Sequence, residues 1–272
     1  MHKINTYTSN TFANILAKYN YNLHEGDIVA GTIIYEESKG FLVNIGDSFS
    51  GYLPKEEVSI KPMSNHMYNF FFINSTRDFL LIKQNSNMKQ YILSIKRLEY
   101  IRSWKRVKQI QLEDIILDLK IQYLNKGGLI TYIEGIQGFI PNSHIYLKSQ
   151  YKKYYNNKIK CKILLINEQK NQLILSNKSA LLHRSKHKFR LGELMYGIIV
   201  KIKPYGIFLE LNKTIALLHI SEIKSSYIRN INQYFQSGNL IKIKVIHIDI
   251  KQGRLSVSKK NLTPIVNLHQ RL

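Results

Sequence analysis

The chain has 272 residues, of which 40 are Lys or Arg and 18 are Asp or Glu, so its formal net charge is +22 at pH 7. This excess makes a polyanion the expected ligand, and the phosphodiester backbone of a nucleic acid is the commonest one. No stretch approaches the ~20 apolar residues of a membrane-spanning helix, so we expect no membrane partner. The single cysteine, Cys161, excludes an internal disulfide and a cysteine-rich zinc site, and its surroundings predict a small apolar residue of a strand.

The N-terminal residues carry no apolar signal segment and little positive charge, so we expect neither a secretory signal nor an ordinary transit peptide. Ser9 and Asn10 can cap a short helix. Its apolar residues fall on one side, namely Phe12, Ile15, Leu16 and Tyr19. This stripe could pack on the first folded domain or on another protein, and the sequence does not decide between them.

Three copies of one unit recur with a period of roughly 80 to 90 residues, which is right for tandem small domains. Each copy has a Gly-containing strand, a second strand close behind it and a similar closing strand. The closing strands are Lys89–Lys96, Asn171–Lys178 and Gly253–Lys259. The predicted organisation is an N-terminal extension (1–25), domains at 26–97, 112–180 and 192–260, helical linkers at 98–111 and 181–191, and a C-terminal tail (261–272).

Each copy reads as five short strands, which in the third copy are predicted at about 194–203, 207–211, 215–219, 240–249 and 254–259. A long connection between the third and fourth strands favours an all-β, OB-type closed barrel. The apolar phase of the fourth strand changes between Val245 and Ile246, which predicts a β-bulge where the strand bends around the barrel. A strand buried on both faces is the alternative, but Lys242 and Lys244 argue against it.

Aromatic and imidazole side chains of the third copy are predicted to face water. In a period-two reading, Ile207 and Leu209 point one way and Phe208 the other. Tyr205 precedes the Gly206 turn, and His219 has the parity opposite to its apolar neighbours. Three flat rings exposed near one another in a basic chain indicate a platform for unpaired bases.

Catalytic constellations are not evident in the sequence. Adjacent carboxylates such as Glu36 and Glu37 diverge on a strand. His183 and His187 lack both the Glu of a zinc-protease motif and a third ligand, which favours a solvated basic helix. We therefore expect a non-enzyme that needs no metal and no cofactor.

The third copy resembles the S1 RNA-binding domain. The resemblance rests on Gly197, Val200, Pro204–Phe208, Leu218–Glu222, Val245, Asp249 and Arg254–Ser258. The three-copy layout is similar to that of ribosomal S1 proteins in their short form. The resemblance implies a small-subunit protein that binds single-stranded mRNA during initiation, next to a neighbouring ribosomal protein.

The RNA-binding residues implied by the resemblance are Tyr205, Phe208, His219, Asp249 and Arg254, and the strand lysines Lys242 and Lys244 join them as predicted contacts. Structural alternatives stay open at this point. Phe208 could contact the core under the following loop, His219 could cap the turn at Ser221, and Asp249 with Arg254 could form only a surface ion pair.

The first two copies depart from the pattern, which suggests that they anchor the protein while the third copy holds RNA. The expected replacements are Leu42 and Leu129 for Phe208, Pro54 and Pro141 for His219, and Lys39 and Lys126 for Tyr205.

The abundance of Ile, Lys, Asn and Tyr indicates an AT-rich genome, so the stroma of a plastid is the expected location, with a bacterial cytoplasm as the other possibility. An RNA-binding factor in RNA decay or transcription is the alternative function. A nuclease subunit would need a catalytic domain for which three barrels leave no room.

Overall fold

The computed structural model describes residues 23–47, 49–59, 73–85, 89–146, 155–223 and 231–262. The N-terminal helix expected around Phe12 to Tyr19 lies outside these residues. The chain divides into two compact units, Met1–Ser103 and Trp104–Leu272.

The first unit contains a closed barrel whose strands are hydrogen-bonded in the order β1-β2-β3-β5-β4. Its strands are β1 (Ile28–Glu36), β2 (Gly40–Asn44), β3 (Ser50–Pro54), β4 (Thr76–Asn85) and β5 (Gln90–Ser94). Alternate residues fill the interior, as the period of two requires: Phe41, Val43 and Leu53 are at most 1% exposed.

Helix α1 (Lys96–Leu112) follows the first barrel and covers the predicted linker. Its sequence contains neither Gly nor Pro, and the helix ends shortly before Asp114, whose φ is +55°. In its second half, Arg106 forms an ion pair with Glu134 at 3.1 Å and Lys108 one with Glu168. The end of α1 is therefore tied to the second barrel.

The second barrel corrects the expectation of five strands, because its first strand is interrupted. Its strands are β6 (Leu117–Lys120), β7 (Tyr123–Asn125), β8 (Gly128–Ile133), β9 (Ile136–Pro141), β10 (Lys158–Asn167) and β11 (Gln172–Ser176), in the sheet order β6-β10-β11-β9-β8-β7. β6 pairs with β10 and β7 with β8, so β6 and β7 together span the positions of a single strand.

Leu119 stands where the other barrels have Gly31 and Gly197. A Cβ at those glycines would lie 2.7 Å from a Val43 methyl group and 3.0 Å from a Leu211 methyl group, so a larger residue at this crossing disturbs the continuous bend.

Helix α2 (Asn177–Ser185) joins the second and third barrels, and a 3-10 turn (Lys186–Lys188) follows it. Ser176 caps the helix by accepting a hydrogen bond from the Ser179 amide at 3.1 Å. Leu182 is fully buried and belongs to the apolar core of the third barrel. The Ser179 hydroxyl also donates to the Ile250 carbonyl at 2.7 Å, so α2 is fastened to the third barrel by both apolar and polar contacts.

The third barrel is closed in the order β12-β13-β14-β16-β15. Its strands are β12 (Leu194–Lys203), β13 (Gly206–Leu211), β14 (Thr214–His219), β15 (Leu240–Asp249) and β16 (Arg254–Ser258). The predicted bulge is confirmed, since the pairing of β15 with β16 shifts between Val245 and His247. Lys244 is exposed, which rules out burial on both faces. The predicted all-β fold of three OB-type barrels with helical linkers is confirmed.

Candidate nucleic-acid interface

Two aromatic rings of the third barrel meet on its outer surface. Tyr205 and Phe208 have ring centroids 6.1 Å apart and ring planes at 89°, an edge-to-face pair. Tyr205 is 51% exposed and Phe208 is half-buried, whereas Ile207 and Leu209 on either side of Phe208 are fully buried. The period-two alternation of β13 therefore directs Phe208 away from the core.

Gly206 makes this arrangement possible. It pairs with His219 on β14, and a Cβ on it would lie 2.5 Å from the Leu218 carbonyl oxygen. Only a residue without a side chain allows so close an approach of the two strands. The turn before it consequently brings Tyr205 to the end of β14, where His219 lies.

His219 is exposed at the end of β14 and also has a structural role. Its Nδ1 accepts a hydrogen bond from the Ser221 amide at 3.3 Å and lies 2.8 Å from the Ser221 hydroxyl. The imidazole is thus the N-cap of the 3-10 turn at Ile220–Glu222. This capping contact was the structural alternative for His219, and it leaves the rest of the ring at the surface beside the aromatic pair.

The predicted lysines lie at different distances from the rings. Lys244 pairs with Ser258 on β16. The strands β16 and β14 pair through Val257 and Leu218, and Ser258 and His219 are the next residues along these two strands. Lys244 is therefore about two strand spacings, or ~10 Å, from His219. Lys242 pairs with Tyr196 and lies two residues farther from this end.

Lys201 lies beside Phe208 but was not among the residues predicted from the sequence. It is the cross-strand partner of Phe208, because a bulge between Ile199 and Lys201 shifts the register of β12 by one residue. Without the bulge, Val200 would occupy that place. The exposed Lys201 ammonium group is well placed to meet the phosphate of a nucleotide whose base lies on Phe208.

Asp249 and Arg254 are cross-strand partners in the β15–β16 hairpin, at the end opposite to Lys244 and Ser258. Arg254 is four residues from Ser258 along β16, or ~13 Å away. Burial lowers the pKa of Lys178, and the charge of Arg254 lowers it further. Burial is also the largest cause that lowers the pKa of His144, followed by the charges of Lys178 and Arg254. The structure thus brings Tyr205, Phe208 and His219 together, and it places Arg254 near the junction of the second and third barrels.

One carboxylate lies close to His219. Glu222 is 3.4 Å from the Lys260 ammonium group. A hydrogen bond from the Ser258 side chain is the largest cause that lowers the pKa of Glu222, and Lys260 and His219 add to it. Its charge is thereby balanced locally, which limits its repulsion of a phosphate.

The same row of five outward positions can be followed across all three barrels by strand pairing. The rows are Tyr35, Leu42, Tyr52, Ile92 and Lys83 in the first barrel; Tyr123, Ile130, Phe139, Ile174 and Leu165 in the second; and Lys201, Phe208, Leu217, Ser256 and His247 in the third. The first two rows, here called the apolar bands, are apolar except for Lys83. The third row begins and ends with a basic or imidazole side chain and holds the exposed face of Phe208.

Two expectations about the second copy are corrected by this register. Leu129 is fully buried, and Ile130 is the residue equivalent to Phe208. Likewise Gly127, not Lys126, is equivalent to Tyr205. The error has a simple cause: Gly127 and Gly128 are adjacent, and Gly128 is the one that pairs with Pro141 as Gly206 pairs with His219.

The first two barrels also have rings on this face, one strand away from the place of Phe208. A Cβ on Gly40 would lie 2.6 Å from the Tyr52 ring, and one on Gly128 would lie 2.8 Å from the Phe139 ring. Each ring therefore covers a glycine of the neighbouring strand. In the third barrel the ring stands on β13 itself, and the close neighbours of Gly206 are backbone atoms of Leu218 and His219.

Among the described residues, no three His, Cys, Asp or Glu side chains cluster closely enough to hold a metal ion. In the same part of the chain, no helix has both the length and the apolar character needed to cross a membrane. Cys161 is fully buried, and burial raises the pKa of its thiol far above the ordinary range. It is an apolar strand residue, as its sequence context predicts.

Comparison with known proteins identifies the family of the chain. Residues 115–178 and 188–260 match the S1 RNA binding domain. The chain is 46% identical to small ribosomal subunit protein bS1c of Porphyra purpurea, over 94% of this chain and 97% of that protein. The chain belongs to the bS1 family of small ribosomal subunit proteins.

Other members of the bS1 family extend the comparison. The chain is 36% identical to bS1A of Synechocystis sp., over 95% of this chain and 78% of that protein. It is 31% identical to bS1c of Spinacia oleracea, over 95% of this chain and 63% of that protein. The bS1c names indicate the plastid type. The relatives are small ribosomal subunit proteins, and this chain carries S1 RNA-binding domains, in agreement with the resemblance drawn from the third copy.

Proposed function

We propose that this protein holds single-stranded mRNA on the small ribosomal subunit and helps to place it during translation initiation. In this proposal the third barrel binds the RNA, and the first two barrels attach to the subunit through a neighbouring ribosomal protein. The protein catalyses no reaction, and its place of work is the plastid stroma.

The observation that carries the proposal is the contrast between the three rows. Unpaired bases need exposed ring faces with cations near the phosphates, and the row of the third barrel supplies Phe208 with Lys201 beside it. Protein docking needs apolar surface that becomes buried on contact. The apolar bands supply such surface, with Tyr35 62%, Tyr123 56% and Leu165 47% exposed.

Co-sedimentation with purified small subunits tests the attachment. The wild-type chain should remain bound when the salt concentration is raised, because apolar contacts are not screened by salt as ion pairs are. Replacing two exposed band residues, Tyr35→Ala with Tyr123→Ala, should release the protein from the subunit. The matched double variant Tyr205→Ala with Phe208→Ala, which also removes two rings, should stay bound.

Two results would contradict the proposal. Wild-type protein that never co-sediments with small subunits would favour an RNA-binding factor in RNA decay or transcription. Metal-dependent RNA cleavage that persists through rigorous purification would contradict the expectation of a non-enzyme.

A further inference from the structure

A cleft of about 840 Å³ lies between the second linker and the third barrel. Lys186, His187 and Arg190 of the linker line one side. The other side comes from the end of β15 and the turn after it, with His247, Ile248 and Ile250. The cleft thus combines basic groups with an apolar wall.

The cations of this cleft are available for a ligand. Within the described ranges, neither Lys186 nor Arg190 has a carboxylate oxygen within 4.0 Å of its charged group. The backbone amide of Arg190 donates a hydrogen bond to the Glu193 carboxylate at 3.0 Å, and this contact does not involve the guanidinium group. An unneutralised pair of cations in a concave site favours an anion.

Two carboxylates border the adjoining part of the cleft, and both have partners. The Asp114 carboxylate forms an ion pair with the buried Lys162 ammonium group at 2.5 Å and lies 3.8 Å from the His183 ring. Asp249 accepts a hydrogen bond from the Gln252 amide at 3.0 Å. The Asp114 charge is offset by the Lys162 ammonium group, and Asp249 shares this part of the cleft with Lys186 and Lys251, so the carboxylates do not outweigh the cations there.

His247 connects the cleft to the aromatic pair. It is the last residue of the row that runs from Phe208 through Leu217 and Ser256, so it lies three strand spacings, or ~14 Å, from Phe208. Every residue of this row points outward. A strand of RNA that leaves Phe208 along the row therefore reaches the cleft without crossing the barrel core.

We propose that this cleft is a second RNA subsite, which binds the phosphate backbone of the same single strand after it leaves the rings of the third barrel. Lys186 and Arg190 contact phosphates, and the imidazole of His247 lies at the entry. The inference rests on the proposed RNA binding by the third barrel and extends its footprint to the linker. The apolar wall at Ile248 and Ile250 favours a base-bearing polymer over a free phosphate ion.

An oligonucleotide length series with the full-length chain tests this subsite. Oligouridylates of about 5 and about 12 nucleotides lie near the lower limit and in the upper half of the ~4 to 16 nucleotides that a single OB-type barrel covers. Lys186→Ala with Arg190→Ala should weaken binding of the longer RNA by about tenfold, should lower its salt slope by about 0.7 per lost phosphate contact, and should leave the shorter RNA unchanged. Fluorescence anisotropy over a series of salt concentrations gives all three quantities.

The matched control is Arg184→Ala with Lys188→Ala, which removes two cations from the same segment. These residues line a neighbouring cleft with Asn212 and Lys213, and His187 is the residue that both clefts share. We expect the control to change the affinity for the longer RNA by less than about twofold, because an exposed charge away from the strand acts only through the screened field.

Three outcomes would overturn the subsite. They are equal losses for both RNA lengths, an equal loss in the control variant, and binding of a polyglutamate peptide at RNA-like affinity that the Lys186 and Arg190 variant abolishes. Failure of the wild-type chain to bind either RNA would instead overturn the proposed function, so the two failures are distinguishable.

Discussion

His219 shows how a single side chain can serve structure and binding together. Its ring caps a 3-10 turn and also lies beside Tyr205 and Phe208 at the surface. An Asn at this position keeps a side-chain acceptor for the Ser221 amide but removes the flat ring. The two roles are therefore separable by substitution.

We predict that His219→Asn retains the stability of the third barrel while weakening RNA binding by ~1 kcal/mol or more, since one stacking surface is lost. His219→Ala should lose both, with an additional stability cost of ~0.5 to 2 kcal/mol for the missing cap. Thermal unfolding and RNA titration measure the two effects. If His219→Asn binds RNA as tightly as the wild-type chain, His219 is only a cap.

Individual positions also show what the sequence could and could not reveal. Alternation alone placed Phe208 outside the barrel, because its neighbours Ile207 and Leu209 leave no other phase for β13. The same reasoning did not find Lys201, since Ile198, Ile199 and Val200 are all apolar and hide the point at which the phase of β12 shifts. It also failed at Leu129, where two adjacent glycines allow two registers that differ by one residue, and such a slip exchanges the faces of a strand.

At the scale of elements, helix α2 ties the second barrel to the third. Besides the Ser179 contact, the Tyr146 hydroxyl donates to the Glu210 carboxylate at 2.5 Å. Gly253 has a φ of +66°, and a Cβ on it would lie 2.5 Å from the Ser179 amide nitrogen. Sequence periodicity predicted a helix here but not this junction, because tertiary contacts between domains have no local signature. For the same reason it could not place Arg254 near His144.

The junction predicts a pH dependence. Burial and the charges of Lys178 and Arg254 lower the pKa of His144 in the folded protein, so the unfolded chain binds the proton more readily. Stability from this group is present above its ordinary pKa of ~6.5 and is lost as the pH falls below that value. Thermal unfolding at pH of about 7.5 and about 5.5 should therefore show a smaller loss for His144→Gln than for the wild-type chain. An identical loss in both proteins would contradict this account.

At the scale of the whole molecule, similar barrels carry different surfaces. The alternation that builds each core leaves the outward positions free to vary. Those positions are largely apolar in the first two barrels and flanked by Lys201 and His247 in the third. A shared fold thereby supports two kinds of contact, as expected when function depends on the site and not on the architecture.

Whole-molecule charge predicts how RNA binding responds to salt. The logarithm of the affinity for single-stranded RNA should fall with the logarithm of salt concentration by about 0.7 for each phosphate neutralised. Duplex RNA of the same length should bind more weakly, because paired bases cannot stack on Tyr205 and Phe208. Anisotropy titrations at several salt concentrations measure both. A salt-independent affinity or a preference for duplex RNA would contradict the stacking platform.

The central claim is that the rings of the third barrel hold RNA while the bands of the first two do not. The most direct test is the affinity of the full-length chain for single-stranded RNA in two double variants that each remove two rings. Tyr205→Ala with Phe208→Ala should cost ~2 to 5 kcal/mol of binding. This variant should remain folded, since Phe208 lies outside the core, and thermal unfolding checks that it does. Tyr35→Ala with Tyr123→Ala should leave the RNA affinity within about twofold of wild type, because no stacking surface of the RNA site is lost. The reverse pattern, a large loss in the second variant and none in the first, would contradict the account.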